Sequence, residues 1–335
     1  MKKKQISLFF RKKRDTGSFS IEASFEQMLH SFPEGSGLEL NKNISTHNSN
    51  GVISRLLGVL EARKHCGDVN HVTGDVHFLV LGMPRKKTIL TVHDCGFMTH
   101  KNPFARFILK LFWLDFPVRH CKFVIAVSEA TKQEIINYTG CSSEKIIVIP
   151  TVITDMFRKV EKTFNDRCPR ILHIGLAPNK NFYRHIEAIS DINCELHIVG
   201  KLESHHIDML NRFGINWTSE YNASQNDIQC AYIESDMLIF ASTLEGFGMP
   251  ILEAQTVGRP VLTSNISSMP EVAGEGACLV DPYSVQSIKE GIQKIINNKE
   301  YRDLIVEKGF ENVKKYRAQS VALQYEDLYK KVLDK

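Results

Sequence analysis

Two glutamates frame a short glycine-containing segment in the second half of the chain. The segment reads Glu245-Gly-Phe-Gly-Met-Pro-Ile-Leu-Glu253 and follows an apolar run of strand length, Met237–Phe240. Glycines let the backbone approach a ligand closely, and Pro250 suits the first position of a helix, where a missing N–H costs nothing. The segment therefore predicts a helix N-terminus, which attracts phosphate or developing negative charge. The amides expected there belong to Gly246, Phe247, Gly248 and Met249.

The two carboxylates indicate more than a phosphate site, because their charge would weaken the binding of a bare anion. A carboxylate accepts paired hydrogen bonds from vicinal hydroxyls, so one can hold a donor sugar and the other a ribose. Two glutamates eight positions apart are commonplace, whereas the pattern G-F-G-x-P-x-x-E after a buried strand is not. The segment is typical of a sugar-nucleotide pocket.

Two further side chains follow strands and could serve such a pocket. Lys180 lies between a strand ending near Gly175 and a helix, where a cation beside free amides suits phosphate, although it could be an ordinary solvated lysine. His93 ends an earlier strand, and its alternative role is a structural histidine hydrogen-bonded to Asp94. Arg184, one turn after Lys180, is a second candidate cation.

Short apolar strands alternate with amphipathic helices along the chain, which is typical of parallel sheets covered by helices, an α/β fold. In the first half the predicted strands are Gln5–Phe10, Gly37–Leu40, Val69–Val72, Thr88–Val92, Phe123–Val127 and Lys145–Ile149. The predicted helices are Ile21–Ser31, Val52–His65, Pro103–Arg119 and Glu129–Tyr138, the last with Ser128 as its N-cap.

The segment from Pro150 to Pro169 breaks this alternation and predicts a linker. We expect one domain over residues 1–155, a nucleotide-sugar-binding domain over 156–315, and a C-terminal helix over 316–335 that returns toward the first domain. The strands predicted after the linker are Arg170–Ile174, Glu195–Val199, Met237–Phe240 and Pro260–Thr263. The predicted helices are Asn181–Ser190, Ser204–Phe213, Gln225–Glu234, Pro250–Val257, two helices after Asp281-Pro282, and Ala318–Leu333.

A bound cofactor is not expected. An NAD-binding domain needs G-x-G-x-x-G after its first strand, and the residues after the first strand here contain a single glycine, Gly17. A Walker phosphate loop is also absent from the sequence.

The Glu245–Glu253 segment resembles the E-x7-E motif of the retaining glycosyltransferases of family 4, which have the GT-B fold. The resemblance extends over most of the chain and is loose only in the first seventy residues. Its other motifs are Thr91-Val-His93-Asp94, Val127-Ser-Glu129-Ala-Thr-Lys, His173-Ile-Gly175, Pro178-Asn-Lys180-Asn181, Ser268-Met-Pro270-Glu271-Val-Ala-Gly274 and Leu279-Val-Asp281-Pro282.

The resemblance implies two Rossmann-like domains whose parallel sheets face a central cleft. It implies that Glu245 contacts the donor sugar hydroxyls, Glu253 the ribose and Lys180 the diphosphate. His93 would then face the donor sugar from the first domain. Glu245, His93 and Lys180 are thus the catalytic candidates, and the donor-binding candidates add Gly175, Arg184, Glu253 and the residues from Gly246 to Met249.

Three departures from the family pattern limit this transfer of roles. Leu176 stands where many members have an arginine, directly after the glycine that corresponds to Gly175. Lys180 is therefore expected to bind the diphosphate with backbone amides alone or together with Arg184. The glycine-rich loop after the first strand is reduced to Gly17 and Gly35, and Thr151-Val-Ile replaces an Asn-Gly after the linker's first proline.

Charge is unevenly distributed along the chain. Residues 1–160 carry about +9 and the remainder about −5 of a net +4, which favours an anionic partner for the first half or reflects solubility alone. The basic aromatic helix Pro103–Phe116 could lie on a membrane, but we expect its apolar face to pack in the first domain's core.

Eight cysteines without a C-x-x-C pair suit a reducing cytoplasm, and Arg11-Lys-Lys-Arg14 makes the N-terminal apolar stretch too short for a signal peptide.

The expected reaction is transfer of a sugar from a nucleotide-diphospho-sugar to a hydroxyl of a glycan or lipid-linked acceptor, in the synthesis of cell-surface polysaccharide or glycoconjugates. No two aspartates are two positions apart, so the metal-binding D-x-D is missing and the leaving charge falls to Lys180 and the amides. Retention follows only from the resemblance. We expect no nucleic-acid partner and a cytoplasmic location, with peripheral membrane contact as an alternative. A nucleotide-sugar epimerase and a non-catalytic sugar-nucleotide or polysaccharide-binding protein remain as other functions.

Overall fold

A computed structural model describes residues 3–12, 20–49 and 51–334. Gly17, one of the two glycines that remain of the expected loop after the first strand, lies outside the described residues. The described chain divides into two compact units, one running up to Val152 and resuming at Arg317, the other spanning Ile153–Tyr316.

The first unit is built on a sheet of six described strands, all parallel, in the order β2-β1-β3-β4-β5-β6. The strands are β1 Lys4–Phe10, β2 Leu38–Ile44, β3 Val69–Val72, β4 Thr88–Val92, β5 Phe123–Ala126 and β6 Ile146–Val148. The helices are α1 Ser20–His30, α2 Val52–Lys64, α3 Pro103–Leu109, α4 Phe116–His120 and α5 Glu129–Thr139, with a 3₁₀ segment at His77–Gly82. Ser128 caps α5 by accepting a hydrogen bond from the Thr131 amide, as the sequence predicts.

The C-terminal helix α13, Ala318–Leu333, packs on this first sheet. The hydroxyl of Tyr329 lies 2.8 Å from Nδ1 of the buried His71 on β3, and Thr91 Oγ1 lies 2.7 Å from its Nε2. Burial lowers the pKa of His71 to about 3, so this histidine is a neutral core residue.

The second unit also holds a parallel sheet, whose described strands follow the order β12-β11-β10-β7-β8-β9. They are β7 Arg170–Ile174, β8 Glu195–Val199, β9 Asn216–Glu220, β10 Met237–Phe240, β11 Val261–Ser264 and β12 Cys278–Val280. The helices are α6 Phe182–Ile189, α7 Ser204–Arg212, α8 Gln225–Glu234, α9 Met249–Val257, α10 Met269–Ala273, α11 Val285–Asn297 and α12 Lys299–Val313.

Two strands and one short helix of the second unit were not predicted from the sequence. β9 is a half-exposed edge strand with the polar sequence NWTSE, so it lacks the apolar run that indicates a buried strand. β12 has only three residues, and α10 has five. The other boundaries differ from the predicted ones by a few residues at most.

The predicted helix Pro103–Arg119 is a single helical run whose middle, Lys110–Asp115, is π-helical. The expectation that its apolar face packs in the core is only half correct. Leu114 and Val118 are buried in the core, whereas Phe104 and Phe107 are exposed. No helix in the described part of the chain is both long enough and apolar enough to traverse a bilayer.

Candidate active site

An ion pair between Lys180 and Glu245 lies at the carboxyl edge of the second sheet. Lys180 follows β7 and Glu245 follows β10, and these parallel strands are direct neighbours, so the loops after them meet at one edge. Lys180 Nζ lies 2.7 Å from Glu245 Oε1, and the two side chains are only 20% and 13% exposed. The ammonium group also stands 4.6 Å from the centre of the Phe240 ring. The sequence predicted both residues at one site but not their pairing.

Backbone contacts join the loop before Lys180 to the loop before Glu245. The Thr243 amide donates to the Asn179 carbonyl at 2.8 Å, and the Asn179 side-chain amide donates to the Leu244 carbonyl at 2.8 Å. Asn181 adopts a left-handed conformation, and its side-chain amide bonds the carbonyls of Ala241 and Pro282 at 2.9 and 2.7 Å. Two loops far apart in sequence are thus held as one surface.

Gly175 is required where it stands. Its φ is +83°, and a β-carbon there would lie 3.2 Å from the Lys180 side chain. A side chain at this position would strain the backbone and require the Lys180 side chain to shift. Leu176, which replaces the family's arginine, is turned to the core of the second unit and packs beside Gly200.

Ser267 and Ser268 support the Glu245 loop from the opposite side. The Ser267 hydroxyl donates to the Glu245 carbonyl at 2.8 Å, and the Ser268 hydroxyl donates to the Phe247 carbonyl at 2.7 Å. Ser267 has a φ of +58°, an uncommon conformation for a serine. Ser268 belongs to one of the motifs of the family resemblance, but the sequence predicted no role for either serine.

The helix α9 begins directly after this loop. Its N-cap is Gly248, with a φ of +107°. Pro250, predicted as the first residue of the helix, is the second, because the helix begins at Met249. No side chain in the described chain caps this N-terminus. The positive end of α9 is therefore not neutralised by a side chain and suits an anionic group of a ligand.

Glu253 lies one turn into α9, where the sequence predicts it, and it is half-buried. The hydroxyl of Tyr232, a buried residue of α8, donates to Glu253 Oε2 at 2.6 Å. Burial raises the pKa of Glu253 to about 7, while the Tyr232 hydrogen bond and the charge of Lys180 oppose the rise. Tyr232 has no counterpart among the sequence-predicted residues, because nothing in the spacing relates α8 to α9.

A buried histidine pair anchors the start of the Lys180 loop. Nε2 of His173 lies 2.8 Å from the Gly175 carbonyl, and Nδ1 of His173 lies 3.1 Å from Nδ1 of His185. Burial lowers the pKa of His173 to about 4 and that of His185 well below its ordinary value, so both rings are neutral near pH 7. A neutral His173 that donates from Nε2 can only accept at Nδ1, and a neutral His185, whose Nε2 also lies 3.3 Å from the Ala241 carbonyl, has one proton for these two acceptors. The pair thereby fixes the Gly175 carbonyl.

Arg184 and His93, the other two sequence candidates, each form a hydrogen bond that the sequence did not predict. Arg184 donates to the Asn181 side-chain oxygen at 2.9 Å and stands 5.6 Å from the Tyr283 ring centre. His93, in the first unit, has Nε2 at 2.7 Å from the Thr73 carbonyl. Its alternative partner Asp94 instead accepts from the Gly96 amide at 2.8 Å.

Two family profiles together match most of the chain. The profile described as Glycosyl transferases group 1 matches residues 157–312, and the one described as Glycosyltransferase Family 4 matches residues 53–155. The chain belongs to the group 1, family 4 glycosyltransferases.

Individual members of this family resemble the chain at modest identity. The chain is 25% identical to the O-antigen chain mannosyltransferase B of Escherichia coli over 273 residues, which cover 73% of this chain and 70% of that protein. It is 29% identical to the O-antigen chain mannosyltransferase RfbU of Salmonella typhimurium over 223 residues, or 63% of this chain and 61% of that protein.

The fold of this glycosyltransferase is also found in solved structures. Anabaena Alr3699/HepE, crystallised with UDP and glucose, superposes with a TM-score of 0.78 and 16% identity, over 98% of this chain and all of that one. The two parallel sheets and this likeness identify the two-domain α/β fold as GT-B, as expected from the sequence.

Replacing Glu253 with glutamine should change how stability depends on pH. The folded wild-type protein holds a proton on Glu253 up to about pH 7, whereas the unfolded chain releases it near 4.5. The free energy of unfolding should therefore fall, by on the order of 1–3 kcal/mol, as pH rises through this window and then level off. Glu253→Gln keeps an oxygen for the Tyr232 hydroxyl and should lack the fall. Denaturant unfolding of both proteins at pH 5 and pH 8 measures this, and an equal pH dependence would contradict the assignment.

Proposed function

We propose that this chain transfers a sugar from a nucleotide-diphospho-sugar to an acceptor hydroxyl, with retention, in the synthesis of a cell-surface polysaccharide or glycoconjugate. The observation that carries the proposal is the Lys180–Glu245 ion pair beside the N-terminus of α9. A cation, a carboxylate and a helix N-terminus within one set of loops match the three chemistries of such a donor: phosphate charge, sugar hydroxyls and ribose hydroxyls.

Donor binding exchanges the partners of this ion pair. The diphosphate offers Lys180 a more highly charged partner than Glu245 does, and the sugar hydroxyls offer Glu245 donors in place of the ammonium group. Each charged side chain thus keeps a partner throughout, which matters because an unpaired charge that is mostly buried is costly. The half-buried Glu253 in turn is proposed to accept hydrogen bonds from the ribose.

The transfer step breaks the bond between the anomeric carbon and the phosphate oxygen. That bond's electron pair leaves with the nucleoside diphosphate, whose growing negative charge is stabilised by Lys180 and the α9 amides. The acceptor oxygen forms the new bond to the anomeric carbon, and its proton passes to the departing phosphate. This sequence, with attack from the face that the phosphate leaves, gives retention without a covalent enzyme intermediate.

The remaining roles rest on the family pattern and on the names of the relatives. His93 is proposed to contact the donor sugar, and the acceptor is proposed to be a glycan or a lipid-linked glycan at the cytoplasmic face. The two relatives are named as mannosyltransferases of O-antigen chains, and a further complex of Alr3699/HepE contains UDP-glucose. These names support a hexose on a nucleoside diphosphate as the donor.

A donor panel tests the function directly. Thermal unfolding is measured with UDP-, GDP-, ADP- and dTDP-sugars, including UDP-glucose and GDP-mannose, and with each free nucleoside diphosphate. One nucleotide series should stabilise the protein, by about 2.7 kcal/mol at a ligand concentration 100 times its Kd. Glu245→Gln should lose the increment that the sugar adds over the free diphosphate while keeping the diphosphate's own effect.

Product analysis with the stabilising donor separates the remaining functions. Release of nucleoside diphosphate with formation of a glycoside or free sugar supports transfer. Conversion to an isomeric sugar nucleotide would instead identify an epimerase, and binding without any turnover a binding protein. Failure of every donor to stabilise the protein would overturn the proposal.

Lys180 should contribute more to turnover than to donor binding. The negative charge on the departing diphosphate grows as the donor bond breaks, so the Lys180 ammonium group stabilises the transition state more than the bound donor. Lys180→Met should therefore lower kcat on the order of 10²-fold or more, with a smaller change in diphosphate affinity. Steady-state kinetics and calorimetric titration measure the two effects. Arg184→Ala serves as the matched cationic control and should lower kcat less, because Arg184 is bound to Asn181 rather than to Glu245.

A double variant distinguishes loss of catalysis from loss of folding. Lys180→Met leaves the Glu245 carboxylate mostly buried without its cation, so the free energy of unfolding should fall. Lys180→Met with Glu245→Gln removes both charges and should recover stability but not turnover. Normal turnover in the stable double variant would place the anion site elsewhere.

Transfer should not require a divalent metal ion. The sequence has no D-x-D, and no group of three acidic, histidine or cysteine side chains in the described residues is arranged to hold a metal ion. Activity should therefore be unchanged by excess chelator after dialysis. Loss of activity that added Mg²⁺ or Mn²⁺ restores would contradict this prediction.

A further inference from the structure

Helix α2 in the first unit turns its apolar side outward. Ile53, Leu56, Leu57 and Leu60 follow the spacing i, i+3, i+4 and i+7, and each is at least 44% exposed. A helix with this spacing normally buries such a stripe against its own domain. Here the side that packs inward carries the small residues Gly58 and Ala62 instead. The apolar stripe of α2 is therefore left without a partner in the described chain.

A second exposed apolar row runs along α3, the π-helical stretch and α4. Phe104, Phe107, Phe112 and Phe116 are between 40% and 74% exposed. The rings of Phe112 and Phe116 contact each other, with centres 5.5 Å apart, rather than the core. Polar residues that hydrate one side of this helical run do not account for four phenylalanines exposed to solvent. Large exposed apolar patches of this kind are typical of interaction sites.

The two rows belong to neighbouring elements of the first unit. The guanidinium of Arg55 on α2 lies 4.5 Å from the ring centre of Trp113, which stands in the π-helical stretch. Phe78, in the 3₁₀ segment, contacts Trp113 with ring centres 5.5 Å apart and lies 6.0 Å from the Arg55 guanidinium. We refer to Ile53, Leu56, Leu57, Leu60, Phe104, Phe107, Phe112 and Phe116 as the apolar surface.

Basic side chains adjoin the apolar surface. Residues 51–122 contain eleven lysines and arginines against five acidic residues. Beyond Phe116 lies an open depression of about 570 Å³ that is lined by Arg85, Arg119, Lys145 and Ser142 and by no carboxylate. Within the described residues neither Arg85 nor Arg119 forms an ion pair, and burial together with Arg85 lowers the pKa of Lys145. The depression suits an anionic group.

We propose that the apolar surface and the Arg85–Arg119–Lys145 depression dock this chain on an anionic lipid bilayer. Aromatic and aliphatic side chains enter the boundary between headgroups and acyl chains, while neighbouring cations bind lipid phosphates. A bilayer fits both observations at once, since it offers apolar and anionic groups side by side over a wide area. The inference does not depend on the donor site in the second unit.

The test is co-sedimentation of the full chain with vesicles of pure phosphatidylcholine and of phosphatidylcholine with phosphatidylglycerol. The wild-type protein should bind the anionic vesicles, and binding should weaken as salt rises. Phe104→Ser with Phe107→Ser, and separately Leu56→Ser with Leu57→Ser, should each reduce binding about tenfold or more. Arg85→Gln with Arg119→Gln should reduce it by a similar factor, because each basic residue near the surface contributes about fivefold.

The matched control is Leu304→Ser with Leu323→Ser, which changes two leucines on α12 and α13 that are also about half exposed, at 50% and 53%. This control should bind as the wild type does, and circular dichroism checks that every variant is folded. Wild-type binding to neither vesicle, or an equal loss in the control, would overturn the proposal. A wild-type dimer that the surface variants convert to monomer without vesicles would identify the apolar surface as an interface between copies.

Discussion

The Lys180–Glu245 ion pair is the interaction around which the loops at the carboxyl edge of the second sheet are arranged. Both side chains are mostly buried, so neither charge is fully solvated, and each needs the other while no donor is bound. The adjacency of β7 and β10 favours the pair, since neighbouring parallel strands bring the loops that follow them close together. In such a site neither charge is unpaired while no ligand is bound. On the proposed binding of a donor, each charged side chain would exchange one partner for another, so no free charge would have to lose its water.

The loops around this pair are held mainly by hydrogen bonds from neutral side chains to backbone carbonyls. The carbonyls of Ala241, Leu244 and Glu245 accept from Asn181, Asn179 and Ser267, in that order. Neutral hydrogen bonds of this type fix position without adding charge to a site that is proposed to accept a diphosphate. The neutral histidine pair at the Gly175 carbonyl follows the same rule, because a protonated pair would add a buried cation behind Lys180.

The sequence predicts the side chains that directly follow strands better than it predicts the residues that hold those side chains in place. Lys180, Glu245 and Glu253 were identifiable because glycine, proline and charge stand at fixed offsets after apolar runs. Tyr232, Ser267 and His185 were not, because they meet the site through tertiary packing of helices and loops that no spacing records. β9 was missed for a related reason: an edge strand with one solvated face does not need the continuous apolar run by which central parallel strands are recognised.

The helical run Pro103–His120 illustrates how the same limit applies to surfaces. Its pattern of aromatic and aliphatic residues predicts an apolar face, but pattern alone does not say whether the covering partner belongs to the same domain. In the structure the buried positions are taken by Leu114 and Val118, and Phe104 and Phe107 remain outside. The exposed stripe of α2 has the same cause, because Gly58 and Ala62 leave room only for close helix packing on the inner side. Both helices thus leave several large apolar side chains outward, and the proposed bilayer docking would give the basic excess of the first half of the chain a role beside them.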